Sequence, residues 1–367
     1  MKKIITSESV NAGHPDKTCD IIADCFLDEA LRQDPDAQMA VECAIKNDKL
    51  FIYGEATTSA HIEYDTIAKK VLKYLGYDVD KFSIIKEIST QSKEINKAVV
   101  SDTIKANDQG IVYGYACSET KELMPLPITI AHKLMQVYEE LRLSDVRFCS
   151  DAKSQVSVVY DDDKVVGIDT VLVSASHIEG LDVEFIRKTI QEKVIDVVLS
   201  DYKDYVSKDT KYIINPSGSF SIWGSYSDSG CVGRKIVVDT YGGVGRVGGG
   251  CFSSKNATKV DRSGAYFARF VARHIVSHGY ADKCEIQLSF GIGLEKPISI
   301  HIETFGTEKE SLDTIYKFVN RNFDFRVGEM ISLLQLKQPI YSRTACFGHF
   351  GRSEFPWEKS LSKIILY

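Results

Sequence analysis

The sequence predicts an α+β protein of three similar subdomains, each a mixed sheet covered by helices, related by a pseudo-threefold axis. Three observations predict this. A helix, a two-stranded hairpin and a second helix recur three times along the 367 residues. The two helices of each unit begin at Asp16 and His61, Ile128 and Val183, and Asp261 and Glu308, intervals of about 45, 55 and 47 residues. No residue-level identity accompanies the recurrence, so the repeat is one of architecture. The expected boundaries are 1–100 for an N-terminal subdomain, 104–221 for a central one and 223–367 for a C-terminal one.

In the first unit, Ile22, Cys25, Phe26 and Ala30 fall three and four apart, which predicts a helix over Asp16–Arg32. Strands at Gln38–Lys46 and Leu50–Thr57 are rich in β-branched and aromatic residues around a polar Asn47-Asp48 turn. A helix at His61–Leu75 and a strand at Phe82–Ile88 follow. The second unit reads as a helix near Ile128–Arg142, strands Gln155–Tyr160 and Lys164–Ser174 around Asp161-Asp162-Asp163, a helix near Val183–Leu199 and a strand Lys211–Ile214. The third reads as a helix at Asp261–His278, strands Cys284–Gly291 and Ile298–Thr304, and a helix at Glu308–Asn322. Gln91–Gly110 carries charges without a sustained apolar face. It reads equally as a mobile lid or an ordinary solvated loop.

With 44% hydrophobic and 26% charged residues the chain has the composition of an ordinary globular protein, which excludes disordered, collagenous and coiled-coil classes. Phe267–Ser277 is interrupted by Arg269, Arg273 and His274, so no membrane span is expected, and no apolar run follows Lys2-Lys3 to make a secretory signal. A cytoplasmic location is expected. A net charge of −6 argues against nucleic acid as a partner, so any polyanion must be met by local cationic loops. Nine scattered cysteines without a C-x-x-C pair argue against a disulfide framework or structural zinc.

Chemistry concentrates in three places. Gly13-His14-Pro15-Asp16-Lys17 sets an imidazole, an acid and a cation around a helix start, where proline is tolerated and free N–H groups favour anions. This arrangement suits a magnesium–nucleotide complex, or equally a plain cap with Asp16 complementing the helix dipole. Asp151-Ala152-Lys153 pairs opposite charges just before a strand; more often such a triplet is a solvated turn. Asp228 through Asp261 is the most unusual. Asp228, Arg234 and Lys235 precede a strand expected at Ile236–Thr240; a run with six glycines between Gly242 and Gly250 follows, then Lys255, Lys259, Asp261 and Arg262 enter a helix. Glycines admit a ligand close to the backbone, cations on both flanks neutralise phosphate, and Asp261 can hold Mg²⁺. Gly243-x-Gly245-x-x-Gly248 matches a dinucleotide fingerprint in form only, because the helix begins more than ten residues later. His274 and His278 lack the glutamate of a zinc motif and read as a solvated helix face.

These segments resemble the methionine adenosyltransferase (S-adenosylmethionine synthetase) family. Thr6-Ser7-Glu8-Ser9-Val10 through Lys17, Gly54-Glu55-Ala56-Thr57-Thr58, Asp108-Gln109-Gly110, Asp151 through Val156, Ile214-Asn215-Pro216, Gly233 through Gly243, Lys259 through Ser263, Gly348 through Arg352 and Phe355 through Glu358 all match. The resemblance covers essentially the whole chain. It implies three similar α/β subdomains and a reaction in which the methionine sulfur attacks C5′ of ATP. The departing triphosphate is then split to pyrophosphate and phosphate. It further implies two Mg²⁺ ions and one K⁺ per site, and a homodimer, or dimer of dimers, whose subunits share the site.

Residue by residue, the resemblance puts His14 at the triphosphate end that leaves C5′. It puts Mg²⁺ on Asp16 and Asp261, and K⁺ on Glu42. Lys153, Arg234, Lys235, Lys255 and Lys259 would contact phosphates, with Lys259 also near methionine. Glu55 and Gln91 would bind the amino-acid end of methionine, and Asp228 would contact methionine or adenosine. Asp108, Asp151 and Cys251 would line the nucleotide site, Phe220 would stack near adenine, and residues 91–110 would be the mobile loop. Ser219, Val247, Cys251 and Ser254 depart from the family's usual arginine, histidine, alanine-like and glycine positions, and Trp223-Gly224-Ser225-Tyr226 replaces a glycine- and proline-containing turn. Two rivals stand beside the adenosyltransferase: a non-catalytic nucleotide-binding module, and, on the glycine pattern alone, a dinucleotide-dependent oxidoreductase.

Overall fold

A computed structural model of the protein describes residues 2–90 and 103–362. Three helix-covered sheets are present, as the recurrence predicts. In the first, β2 (Gln38–Lys46) and β3 (Lys49–Thr57) form the expected hairpin, closed by Asn47 in the left-handed region at φ 49°. Alternate residues Met39, Val41, Cys43 and Ile45 face inward, which fixes the register because a one-residue slip would expose all four. β4 (Ser83–Ser89) runs parallel to β3. Helices α1 (Pro15–Gln33) and α2 (Tyr64–Tyr74) belong to this unit.

The second sheet has the order β1-β6-β7-β8, with β6 at Phe148–Asp161, β7 at Lys164–His177 and β8 at Lys211–Ile214. Its first strand, β1 (Lys2–Val10), was not expected. It pairs antiparallel with β6 from Lys2↔Asp161 to Val10↔Lys153. The N-terminus thus crosses to the central sheet before the chain enters α1. The third sheet joins β5 (Gly110–Cys117), β10 (Lys283–Phe290) and β11 (Ser299–Glu303), all antiparallel. β9 (Gly230–Cys231) returns to the first sheet beside Ala44 and Ile45 of β2. Chain crossings of this kind are non-local pairings that period and composition do not encode.

α3 (Leu126–Ser144) covers the second sheet, and the helix expected over Val183–Leu199 is divided. α4 (Val183–Ile190) passes through a π turn at Gln191–Ile195 into α5 (Asp196–Leu199). The wider turn keeps Ile186, Ile190, Val194, Ile195 and Val198 all in the core. Ile236–Thr240 is not a strand. Ile236–Asp239 is a short helix, α6, with the Asp239 N–H donating to Lys235 O at 2.9 Å. Its valines favour a strand, but among the described residues it joins no sheet, and burial of Val238 and Asp239 decides the outcome. The His274–His278 reading is half wrong. Both lie at the end of α7 (Val260–Ser277), where His278 is exposed but His274 is fully buried against Phe270 and Phe323. His274 Nδ1 donates to Phe270 O at 2.7 Å and Nε2 accepts from Leu361 N–H at 3.1 Å, so both ring nitrogens are used structurally. The last expected helix begins later, as α8 (Leu312–Asn322), where Ser311 caps Thr314 N–H. α9 (Val327–Leu333) follows it. No helix of the described residues is long and apolar enough to cross a membrane.

Candidate active site

α1 starts where β1 ends, and β6 runs alongside. Asn11 N–H donates to Ala152 O at 2.9 Å and Gly13 N–H to Ser150 O at 3.0 Å. The Asp151–Lys153 triplet is therefore held against the segment that carries His14 and Asp16. His14 caps the helix: its Nδ1 accepts from the Asp16 N–H at 3.2 Å, which leaves the ring proton on Nε2. Burial, reinforced by the Lys235 and Lys153 charges, lowers its pKa to about 3. His14 is thus a neutral imidazole that can donate from Nε2.

Asp16 is fully buried. Its Oδ1 accepts from Cys231 N–H at 3.0 Å and meets Arg234 Nε at 3.0 Å; its Oδ2 accepts from Lys235 Nζ at 2.8 Å. Burial alone would raise its pKa, but the Lys235 hydrogen bond and the Cys231 N–H outweigh that and hold it below the usual carboxylate value. Asp151, also buried, accepts from Gly224 N–H at 3.0 Å through Oδ2, while Oδ1 has no protein partner. Burial lifts its pKa to about 6, against the pull of the Gly224 N–H and Lys153. The 223–226 turn that departs from the family pattern thus supplies this N–H, and Ser225 docks it on the first hairpin through Asn47 and on Tyr77. Lys153 and Asp228 are exposed and contribute opposite charges beside His14. Phe220 is fixed by its backbone: its N–H donates to His177 Nε2 at 2.9 Å and its O accepts from His177 N–H at 3.1 Å. Ser219 Oγ also lies 3.4 Å from His177 Nε2.

A second group gathers at the start of α7. Lys255 Nζ donates to Asp261 Oδ2 at 2.6 Å, and Gly250 passes so close that a Cβ there would lie 2.2 Å from the same carboxylate. Lys259, the residue before α7, has its pKa lowered by burial and then by Lys255, while Glu55, Asp108 and Asp261 oppose the shift. Glu42 Oε2 accepts from Tyr53 OH at 3.3 Å. Burial raises the Cys251 thiol to about 11, so it is a protonated thiol and not a thiolate. The two groups approach each other where Gly233, at φ 75°, passes the Cys251 side chain so closely that a Cβ on the glycine would lie 2.7 Å from Sγ. Among the described residues no hydrogen bond or ion pair joins a side chain of one group to one of the other. Gln91 lies outside the described residues, as do 91–102 of the expected loop. Of the remainder, Ala106 exchanges backbone hydrogen bonds with Gly293 and Leu294.

Asp20, Asp24, Asp28 and Asp239 were not singled out from the sequence, and Lys17, the cation expected beside the anion site, is instead fully buried against Asp20 and Asp239. Asp16, Asp20, Asp24 and Asp28 repeat every fourth residue, and all are buried. They accept in turn from the N–H groups of Cys231, Gly233, Ser254 and Tyr341. The signal was present: acids at helical spacing on an otherwise apolar face belong to a buried polar seam.

The chain thus carries two groups of carboxylates and cations, one beside a neutral imidazole and one against glycine-rich backbone, chemistry of the class that suits a polyphosphate-handling transferase. Three domain families together match residues 2–359 but for position 221: S-adenosylmethionine synthetase, N-terminal domain (residues 2–105), central domain (103–220) and C-terminal domain (222–359). The chain is 46% identical to the S-adenosylmethionine synthase of Mesoplasma florum over 98% of each chain. It is 47% identical to that of Oenococcus oeni over 98% of this chain and 97% of the relative. The chain belongs to the S-adenosylmethionine synthetase family. Its reaction joins the sulfur of L-methionine to C5′ of ATP, releasing triphosphate that is hydrolysed to pyrophosphate and phosphate.

Proposed function

We propose that the two side-chain groups are the two halves of this enzyme's active site, brought together by two copies of the chain. The observation that carries the reading is the Asp16–Arg234–Lys235 cluster, which sets a buried, ionised carboxylate and two cations beside a neutral His14. The sulfur lone pair forms the S–C5′ bond as the C5′–O5′ bond breaks, and the electron pair leaves with the triphosphate. A thioether is a modest nucleophile, so orientation and stabilisation of that charge dominate the barrier. His14 donates its Nε2 proton as a hydrogen bond to the charge growing at the leaving oxygen. Lys153, Arg234, Lys235, Lys255 and Lys259 hold the phosphates. Asp151, Phe220, Asp228, Cys251 and Asp108 line the nucleotide pocket, and Glu55, Gln91, Asp228 and Lys259 take methionine.

Asp16 and Asp261 are single hard carboxylates, each apart from any cluster of three metal-ligating side chains among the described residues. That donor set fits Mg²⁺, which takes one or two protein carboxylates and completes its shell with phosphate oxygens and water. Two such ions per site would neutralise the triphosphate when bound. The oxygen of Glu42, already hydrogen-bonded by Tyr53, would serve one K⁺. The separation of the two groups on one chain supports a homodimer as the working unit, with a dimer of dimers the further step, in the cytoplasm.

The test is a product assay. Purified protein with methionine, ATP, Mg²⁺ and K⁺ yields S-adenosylmethionine, pyrophosphate and phosphate. Mixing a Lys235→Met chain with a Lys259→Met chain restores part of the activity each lacks alone, because hybrid dimers carry one intact site. Absence of restoration after subunit exchange would show that the two groups do not combine across subunits.

A further inference from the structure

One fully enclosed charge lies outside the groups that face substrate. Lys17 is fully buried between two aspartates: its Nζ donates to Asp20 Oδ2 at 2.8 Å and to Asp239 Oδ1. Taking an ammonium out of water is costly, and here each of two carboxylates placed against it offsets that cost. Both aspartates end on one loop. Asp20 Oδ1 accepts from Gly233 N–H at 2.9 Å, directly before Arg234. Asp239 closes α6, directly after Lys235 and three further residues, and its O accepts from His349 N–H at 3.0 Å. One ammonium thus reaches both flanks of the Arg234–Lys235 pair, on the helix turn that also carries Asp16.

We infer that Lys17 is a positioning residue: through Asp20 and Asp239 it clamps the 233–239 segment so that Arg234 and Lys235 stay aimed at the site. The clamp rests on the assignment of those two cations to phosphate. It touches no substrate itself. A hydrogen-bonded ion triad of this kind is costly to break and defines one geometry, whereas an apolar contact would let the loop slide.

The experiment compares four variants by steady-state kinetics and thermal unfolding. Lys17→Met is expected to lower kcat about 10- to 100-fold, the usual effect of losing a partner that orients a ligating group, while the methionine KM stays within about threefold. Asp20→Ala, which frees the Gly233 N–H and takes away one of the two carboxylates on Lys17, shows the same split and decides the matter if Lys17→Met does not fold. Asp28→Ala is the control. It removes an equally buried carboxylate from the same helix, but one that holds Tyr341 and Ser342, so it lowers the melting temperature and leaves kcat within about threefold. Lys235→Met tests the underlying assignment; an unchanged rate there would overturn that assignment and the clamp together. If Lys235→Met is crippled yet Asp20→Ala keeps its kcat, or loses no more than Asp28→Ala, the clamp alone is overturned.

Discussion

Lys235 Nζ lies 2.8 Å from Asp16 Oδ2, so the carboxylate proposed to hold Mg²⁺ is already neutralised by a cation proposed to hold phosphate. On the proposed reading the two would exchange partners when ATP binds: phosphate oxygens would take the carboxylate's place around Lys235, and Asp16 would be free to hold Mg²⁺. Asp16→Asn abolishes this exchange, since an amide is a poor ligand for a hard cation. We expect kcat to fall on the order of 100-fold or more and the Mg²⁺ dependence of the rate to shift to higher concentration. An unaltered Mg²⁺ titration would remove Asp16 from the metal site.

His14→Asn is expected to slow S-adenosylmethionine formation about 100- to 1,000-fold while ATP affinity changes only a few-fold. The proposed bond strengthens as triphosphate departs, and interactions made only in the transition state appear in kcat. Because burial and the neighbouring lysines keep His14 neutral down to about pH 3, kcat should show no limb from this residue between pH 5 and 8. Equal losses in rate and ATP affinity would refute the assignment.

Ser254 holds φ 75° where the family usually has glycine, its hydroxyl is buried without a protein partner, and its N–H is committed to Asp24. Ser254→Gly relieves the left-handed strain and removes the orphan hydroxyl. These gains outweigh the extra freedom of glycine in the unfolded chain, so stability should rise by about 1 kcal/mol. Denaturant unfolding at equal m-value measures it; a destabilised variant would mean that the hydroxyl is satisfied by water.

Most helices and hairpins were legible because one face of each packs on a sheet and writes its period into the sequence: Met39, Val41, Cys43 and Ile45 are an example. What was illegible is what the tertiary fold decides. β1 has a mostly exposed alternation and no local partner, so its place beside β6 depends on a strand about 150 residues away. α6 forms where valines argue for a strand. Site residues inside motifs could be named from the resemblance, but their arrangement in two groups, and the role of Lys17 between Asp20 and Asp239, needed coordinates. A buried lysine and an exposed one are written with the same letter.

His132 offers a check on the interior that is independent of catalysis. It is buried, its Nδ1 lies 2.8 Å from Ser9 Oγ, and its Nε2 has no protein partner. Burial, and then the charges of Arg352 and Lys17, lower its pKa to about 3 from an ordinary value of 6.5. The unfolded chain therefore takes up this proton first as pH falls. Stability due to the neutral ring is fully present above about pH 6.5 and is lost progressively from there toward pH 3, by at most about 1.4 kcal/mol per pH unit. His132→Gln cannot take up that proton. Whatever the variant costs at pH 8, the difference in unfolding free energy between it and the native chain should shrink as pH is lowered from 6.5 to 4. A difference that stays constant over that range would mean that His132 is charged, or solvated, inside the fold.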